Sequence, residues 1–180
     1  MTSGVFNELN ALLNTPVPAE LGPARRAGTI SEAELAVALE AIFARTKLPV
    51  QPRELIRALL LLWHDHLDAS HTISQGIENS DGSCVHAVMH RREPDAWNAK
   101  YWWRRAGAQP AFPEIARRVT ELLNSTGQRP LLKTLVPFGA WDACAYVDMC
   151  EAAKDESLIG TLREVQLVEV ETLLEHFLRS

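Results

Sequence analysis

The chain has 180 residues, 47% of them apolar and 23% charged, with a net charge of −5. That suffices for one well-buried core and is short for two full domains. It provides no basic footprint, so nucleic acid is not expected as the main partner. The longest apolar run, Ala58 to Trp63, is far below the ~18 residues that span a bilayer. The N-terminus lacks the basic-then-apolar order of an export signal, so no membrane partner is expected. Cys84, Cys144 and Cys150 have neither disulfide-framework nor zinc-knuckle spacing. They are expected to be reduced thiols in a cytoplasmic protein.

In chain order the helical period dominates, and no stretch alternates as a strand does. The expected fold is all-α, a single domain over 1–180, with several helices packed around an antiparallel helical hairpin spanning about 53–92. Residues 1–30 read as a peripheral amphipathic helix, Thr2 to Asn14, followed by a strap rich in Pro, Gly, Ala and Arg. Ser31-Glu32-Ala33-Glu34 is a capping box that starts a helix ending near Thr46. Pro52 suits the first turn of a long helix from Arg53 to Gln75, closed by Gly76. Ser83 can cap a short helix ending at Arg92, and Asp95 caps the next, Ala96 to Ala106. Pro113 opens another, and two more follow, Ala140 to Ala153 and Glu156 to Arg179. The last is amphipathic and reads as core or as the interface of a homo-oligomer.

Six histidines occur, and five of them, His64, His66, His71, His86 and His90, fall within 27 residues. Imidazoles gathered in this way build transition-metal sites and acid–base pairs, because they titrate near neutrality. At about 100° per residue, positions i, i+4 and i+7 share a helix face. His64, Asp68 and His71 have that spacing, and so do His86, His90 and Glu93. In an antiparallel hairpin, residues whose numbers have the same sum lie level. His71 with His86, His64 with Glu93, and Asp68 with His90 satisfy that condition to within one residue. His66 points elsewhere. His64, His71, His86 and His90 are therefore the candidate metal ligands. Asp68 and Glu93 are the candidate catalytic carboxylates, serving as ligand, orienter or general base.

Beyond the second stripe, Arg91, Arg92, Trp97, Lys100, Tyr101, Arg104 and Arg105 mix cations with aromatic rings. Guanidinium forks beside aromatic faces suit planar anions and stacked rings. These residues are expected to line an electropositive mouth that binds a small anionic substrate. Cys84 paired with His86 or His90 is a weaker alternative, a nucleophile and its base, with no oxyanion hole in evidence.

The block from Trp63 to Gly107, with WHDHLDASHTISQGIENSDGS and HAVMHRREPDAWNAKYWWRR, resembles a set of uncharacterised bacterial and fungal proteins. It covers about a quarter of the chain. The resemblance implies that the block recurs as a unit, and it carries no catalytic residue with it. The leading expectation is a metal-dependent enzyme acting on a small anionic or aromatic molecule. Its divalent transition metal would be zinc, iron, nickel or manganese. The alternative is a non-enzymatic ligand-binding or interaction protein whose histidines and carboxylates form a buried structural network.

Overall fold

A computed structural model describes residues 2–180 of the chain, with side chains from residue 4 onward. The described residues fold into helices and contain no strand. In order these are α1 (Thr2–Ala11), α2 (Glu32–Phe43), α3 (Val50–Trp63), α4 (Leu67–Ser74) and α5 (Ser80–Arg92). Then come α6 (Ala96–Ala106), α7 (Phe112–Ser125), α8 (Arg129–Leu135), a 3₁₀ turn (Pro137–Gly139), α9 (Ala143–Ala152) and α10 (Glu156–Phe177). None of these helices is long and apolar enough to cross a membrane.

Several starts are where the sequence puts them. Ser31 and Glu34 form both arms of the capping box on α2. The Asp95 carboxylate accepts the Asn98 amide at the head of α6. Helix α5 begins earlier than Ser83, because Asn79 caps it by accepting the Gly82 amide at 2.8 Å. Glycine is needed at 82, since a Cβ there would collide with the Ile77 carbonyl as the chain doubles back from α4.

Helices α3 and α5 occupy the centre. Leu55, Ile56 and Ala58 to Trp63 are all buried in α3, and in α5 every residue from Gly82 to Arg92 is buried. Helix α5 packs most extensively on α6. Ser80 Oγ, at the start of α5, donates to the Ala106 carbonyl at the end of α6, so the two helices run antiparallel. Helix α10 lies against α1, α3 and α7. Its apolar stripe, including Leu162, Val165, Leu173, Leu174 and Phe177, is fully buried in the chain's own core. Leu167 and Val168 of the same helix are partly buried against that core.

The main correction concerns the expected helix from Arg53 to Gln75, which is broken after Trp63. The His66 amide bonds the Leu61 carbonyl at 2.9 Å and the Asp65 amide bonds the Leu62 carbonyl at 3.1 Å, with Asp65 at φ 66°. This is the Schellman ending, which normally takes glycine at the left-handed position. Helix α7 ends the same way with Gly127 in that role, at φ 72°. At Asp65 the penalty for a non-glycine residue is offset by its side chain. Oδ2 accepts the Arg26 amide and Nε at 2.9 Å each, and Oδ1 accepts Arg92 Nη2 at 2.9 Å.

The same two arginines take the carbonyls that the helix end leaves open. Arg92 Nη1 donates to the Leu62 carbonyl at 2.7 Å, and Arg26 Nη2 donates to the Trp63 carbonyl. Arg92 Nε also reaches the Gly22 carbonyl, so the strap is tied to the break. Burial by itself would raise the Asp65 carboxyl, but the Arg26 and Arg92 hydrogen bonds prevail and hold it below the ordinary carboxylate range.

Candidate metal centre

Breaking the first arm separates its histidines. His64 becomes the residue that ends α3, and its ring turns toward α1. Its Nε2 donates to the Leu12 carbonyl at 2.9 Å, and its Nδ1 accepts the Ile30 amide at 3.4 Å. Burial lowers its pKa, opposed by the bond to Leu12. Both nitrogens are engaged in holding the strap, so the expectation that His64 is a metal ligand is corrected. His66, left out of the site on sequence grounds, bonds the Ile30 carbonyl through Nε2 at 2.8 Å and lies 3.4 Å from Glu32 through Nδ1.

The other three predicted ligands do come together. His71 from α4 meets His86 and His90, one helical turn apart on α5. The ring centroids are 4.8 Å apart for His71 and His86, 5.2 Å for His71 and His90, and 4.7 Å for His86 and His90. One nitrogen from each lies within 4.8 Å of the other two. Three imidazole nitrogens around one tetrahedral ion, with bonds of about 2.0–2.1 Å, would be about 3.3 Å apart. The group must therefore tighten by about 1.5 Å at its widest to close on an ion. His71 is the half-buried member and its ring makes no hydrogen bond among the described residues, so it is the one able to move.

His86 is the centre of the group. It is 4% exposed, and among the described residues neither Nδ1 nor Nε2 has a hydrogen-bond partner. The Trp102 indole covers one face, stacked at 4.0 Å and 23°, and His90 stacks at 19°. Burial, then the neighbouring His90 and His71, push its pKa down to about 4. The ring is therefore neutral at pH 7, as a metal ligand must be. His90 is held by Glu93, whose Oε2 lies 3.1 Å from Nδ1. That bond fixes Nδ1 as the protonated nitrogen and leaves Nε2 with its lone pair free. Burial lowers the His90 pKa, partly offset by Glu93. The Pro94 that follows does not swing Glu93 away, because it caps the end of α5 within reach of His90.

Asp68 is exposed and apart from the three rings. It lines a separate cavity of about 510 Å³ with His66, Glu93, Asp95 and Arg25. Its expected place beside His90 depended on the unbroken helix, and that expectation is corrected. Glu93 lines this cavity and also bonds the His90 ring.

The expected electropositive mouth does not form as drawn. The Arg91 guanidinium is buried and grips Glu169 of α10 at 2.6 and 3.1 Å, stacking 4.4 Å from the Tyr146 ring. Burial alone would lower its pKa, but Glu169 raises it, so the ion pair persists. Arg92 is committed to Asp65, Leu62 and Gly22, as described above. Lys100 pairs with Asp148 of α9 at 2.5 Å. Both buried cations hold helices together and neither is offered to a ligand. Trp97, Tyr101, Arg104 and Arg105 are exposed on α6, with Trp97 and Tyr101 stacked in parallel and Arg105 over Trp102.

Trp102 is the site residue that sequence reasoning missed. In sequence it shares a helix side with Asn98, which does not point to His86. Cys84 is completely buried and burial raises its thiol pKa well above the ordinary value, so it is not an activated nucleophile. All three cysteines are unpaired. Comparison with protein-family models, with curated proteins and with solved structures finds no match.

Proposed function

We propose that the protein is a metal-dependent enzyme whose centre holds one divalent transition ion on His71, His86 and His90. The observation that carries this reading is His86. A buried polar atom without a partner costs roughly 1–3 kcal/mol, and this ring has two such nitrogens between two further imidazoles. A purely structural histidine network would bond them, as the chain does at His64. A metal would use one of them directly.

Glu93 supports the reading from outside. A carboxylate on the far nitrogen of a ligating imidazole fixes its tautomer and raises its basicity. Here that leaves His90 Nε2 to face the ion. Three protein ligands leave a coordination position for water, and a bound ion brings the pKa of such water toward ~7 and supplies Lewis acidity. Trp102 shields one side of the centre from solvent. The carboxylates of Glu93, Asp68 and Asp95 around the neighbouring cavity favour a neutral or cationic small molecule over an anionic one on that side.

Elemental analysis of protein purified without a metal-affinity tag tests the proposal. About one zinc, iron, nickel or manganese per chain is expected, lost in His86→Ala and kept in His64→Ala. Protein that carries no such metal and takes none up on titration at pH 7.5 would overturn it.

A further inference from the structure

The segment after α8 presents an unusual side chain. Phe138 sits in the 3₁₀ turn at φ 54°, ψ 24° and is wholly exposed, at 108%. A bulky residue in the left-handed region is held there at a cost of the order of 1 kcal/mol. Leaving the ring in water forfeits roughly 2 kcal/mol that burial would return. Among the described residues Phe138 takes no part in the core or its fringe, so core packing offsets neither cost.

Next to this ring lies a cavity of about 300 Å³, lined by Trp103, Phe112, Pro137, Ala140 and Trp141. A dry pocket of about 150 Å³ already accepts a benzene molecule, so a phenyl ring fits here. Phe138 stands outside this cavity, while Pro137 just before it and Ala140 two residues after it form part of the wall. One patch thus carries both a projecting ring and a receptacle for one. In a two-fold interface each residue meets its counterpart's neighbour reciprocally, so such a patch is self-complementary.

Charge agrees with this arrangement. Arg104 lines the same cavity, is exposed, and makes no ion pair among the described residues. Asp142 lines it too, with Oδ1 capping the Ala145 amide and Oδ2 without a partner among the described residues. Across a two-fold axis the Arg104 of each copy can meet the carboxylate of the other.

We propose that this face binds a second copy of the chain, with Phe138 of each copy entering the cavity of the other. The interface is independent of the metal centre. It lies at the loop between α8 and α9.

Sedimentation velocity on the full chain, from about 1 µM to about 1 mM, tests the proposal over the affinity range of weak assemblies. The parent should pass from monomer to dimer. Phe138→Ser should remain monomeric at concentrations at least ~10-fold higher, with an undiminished melting temperature in dilute solution. Arg104→Glu, a surface change that leaves the fold intact, should weaken the dimer through repulsion from Asp142. Trp97→Ser removes another exposed ring, one that does not line this cavity, and it should dimerise like the parent. A parent that stays monomeric throughout, or a Phe138→Ser chain that dimerises as the parent does, would overturn the proposal.

Discussion

Two histidine-bearing regions lie a few residues apart in sequence and are built on opposite rules. At the break between α3 and α4, the His64 nitrogens, the Asp65 carboxylate and the Arg26 and Arg92 guanidiniums are almost all bonded, much of it to backbone carbonyls. Among His71, His86 and His90 the middle ring has no hydrogen bond to any described residue. A buried polar group that is satisfied within the chain holds structure. One that is left open in the company of like groups is available to a ligand.

The sharpest way to break this contrast is to remove Asp65. Asp65→Ala leaves two guanidiniums buried without their carboxylate, and losing one partner of a buried ion pair costs about 3–5 kcal/mol. Urea unfolding should show a loss of that size, and Asp65→Gly should recover only a small part by relieving the left-handed backbone. A loss below ~1 kcal/mol would mean that the knot is not what holds the break.

Metal-free protein should respond to acid through the open ring. The folded pKa of His86 is depressed to about 4 from 6.5, so the folded state binds fewer protons than the unfolded chain between those values. The associated stability is fully present above pH ~6.5 and is lost as pH falls through about 4, by roughly 2–3 kcal/mol. His64 and His90, also lowered, act in the same direction. Denaturant midpoints at pH 7 and 4.5 should therefore separate, and His86→Leu should narrow the gap. An unchanged gap in that variant would contradict the assignment.

The two regions should then part company under the same substitution. In metal-free protein His64→Leu orphans the Leu12 carbonyl and the Ile30 amide and should cost ~1–3 kcal/mol. His86→Leu removes two nitrogens that have no partner among the described residues, and should lose no stability and gain up to ~1–3 kcal/mol. Equal losses would erase the distinction. The smallest effect is expected at Arg105, exposed over Trp102, where Arg105→Ala should stay within about 0.5 kcal/mol.

Much of this was legible in sequence where local chemistry decides it. The capping box at Ser31, the cap at Asp95, the all-helical fold and the meeting of His71 with His86 follow from spacing and side-chain type. The break at Asp65 was not legible. No glycine or proline marks it, and the residues that stabilise it, Arg26 and Arg92, come from distant parts of the chain. That one misreading displaced His64 and Asp68 together, since both had been placed by extending a single helix. The fate of Arg91 and Arg92 was hidden for a related reason. An arginine beside aromatic residues reads the same whether its partner is a ligand or, as here, Glu169 and Asp65.

The central claim is that one ion is held by three imidazoles, one of them the otherwise unbonded His86. X-ray absorption on protein loaded with one equivalent of zinc measures this directly. The account predicts three imidazole nitrogens at about 2.0–2.1 Å, falling to two in His86→Ala if any metal remains. A first shell made of oxygen, or a spectrum unchanged by His86→Ala, would contradict it.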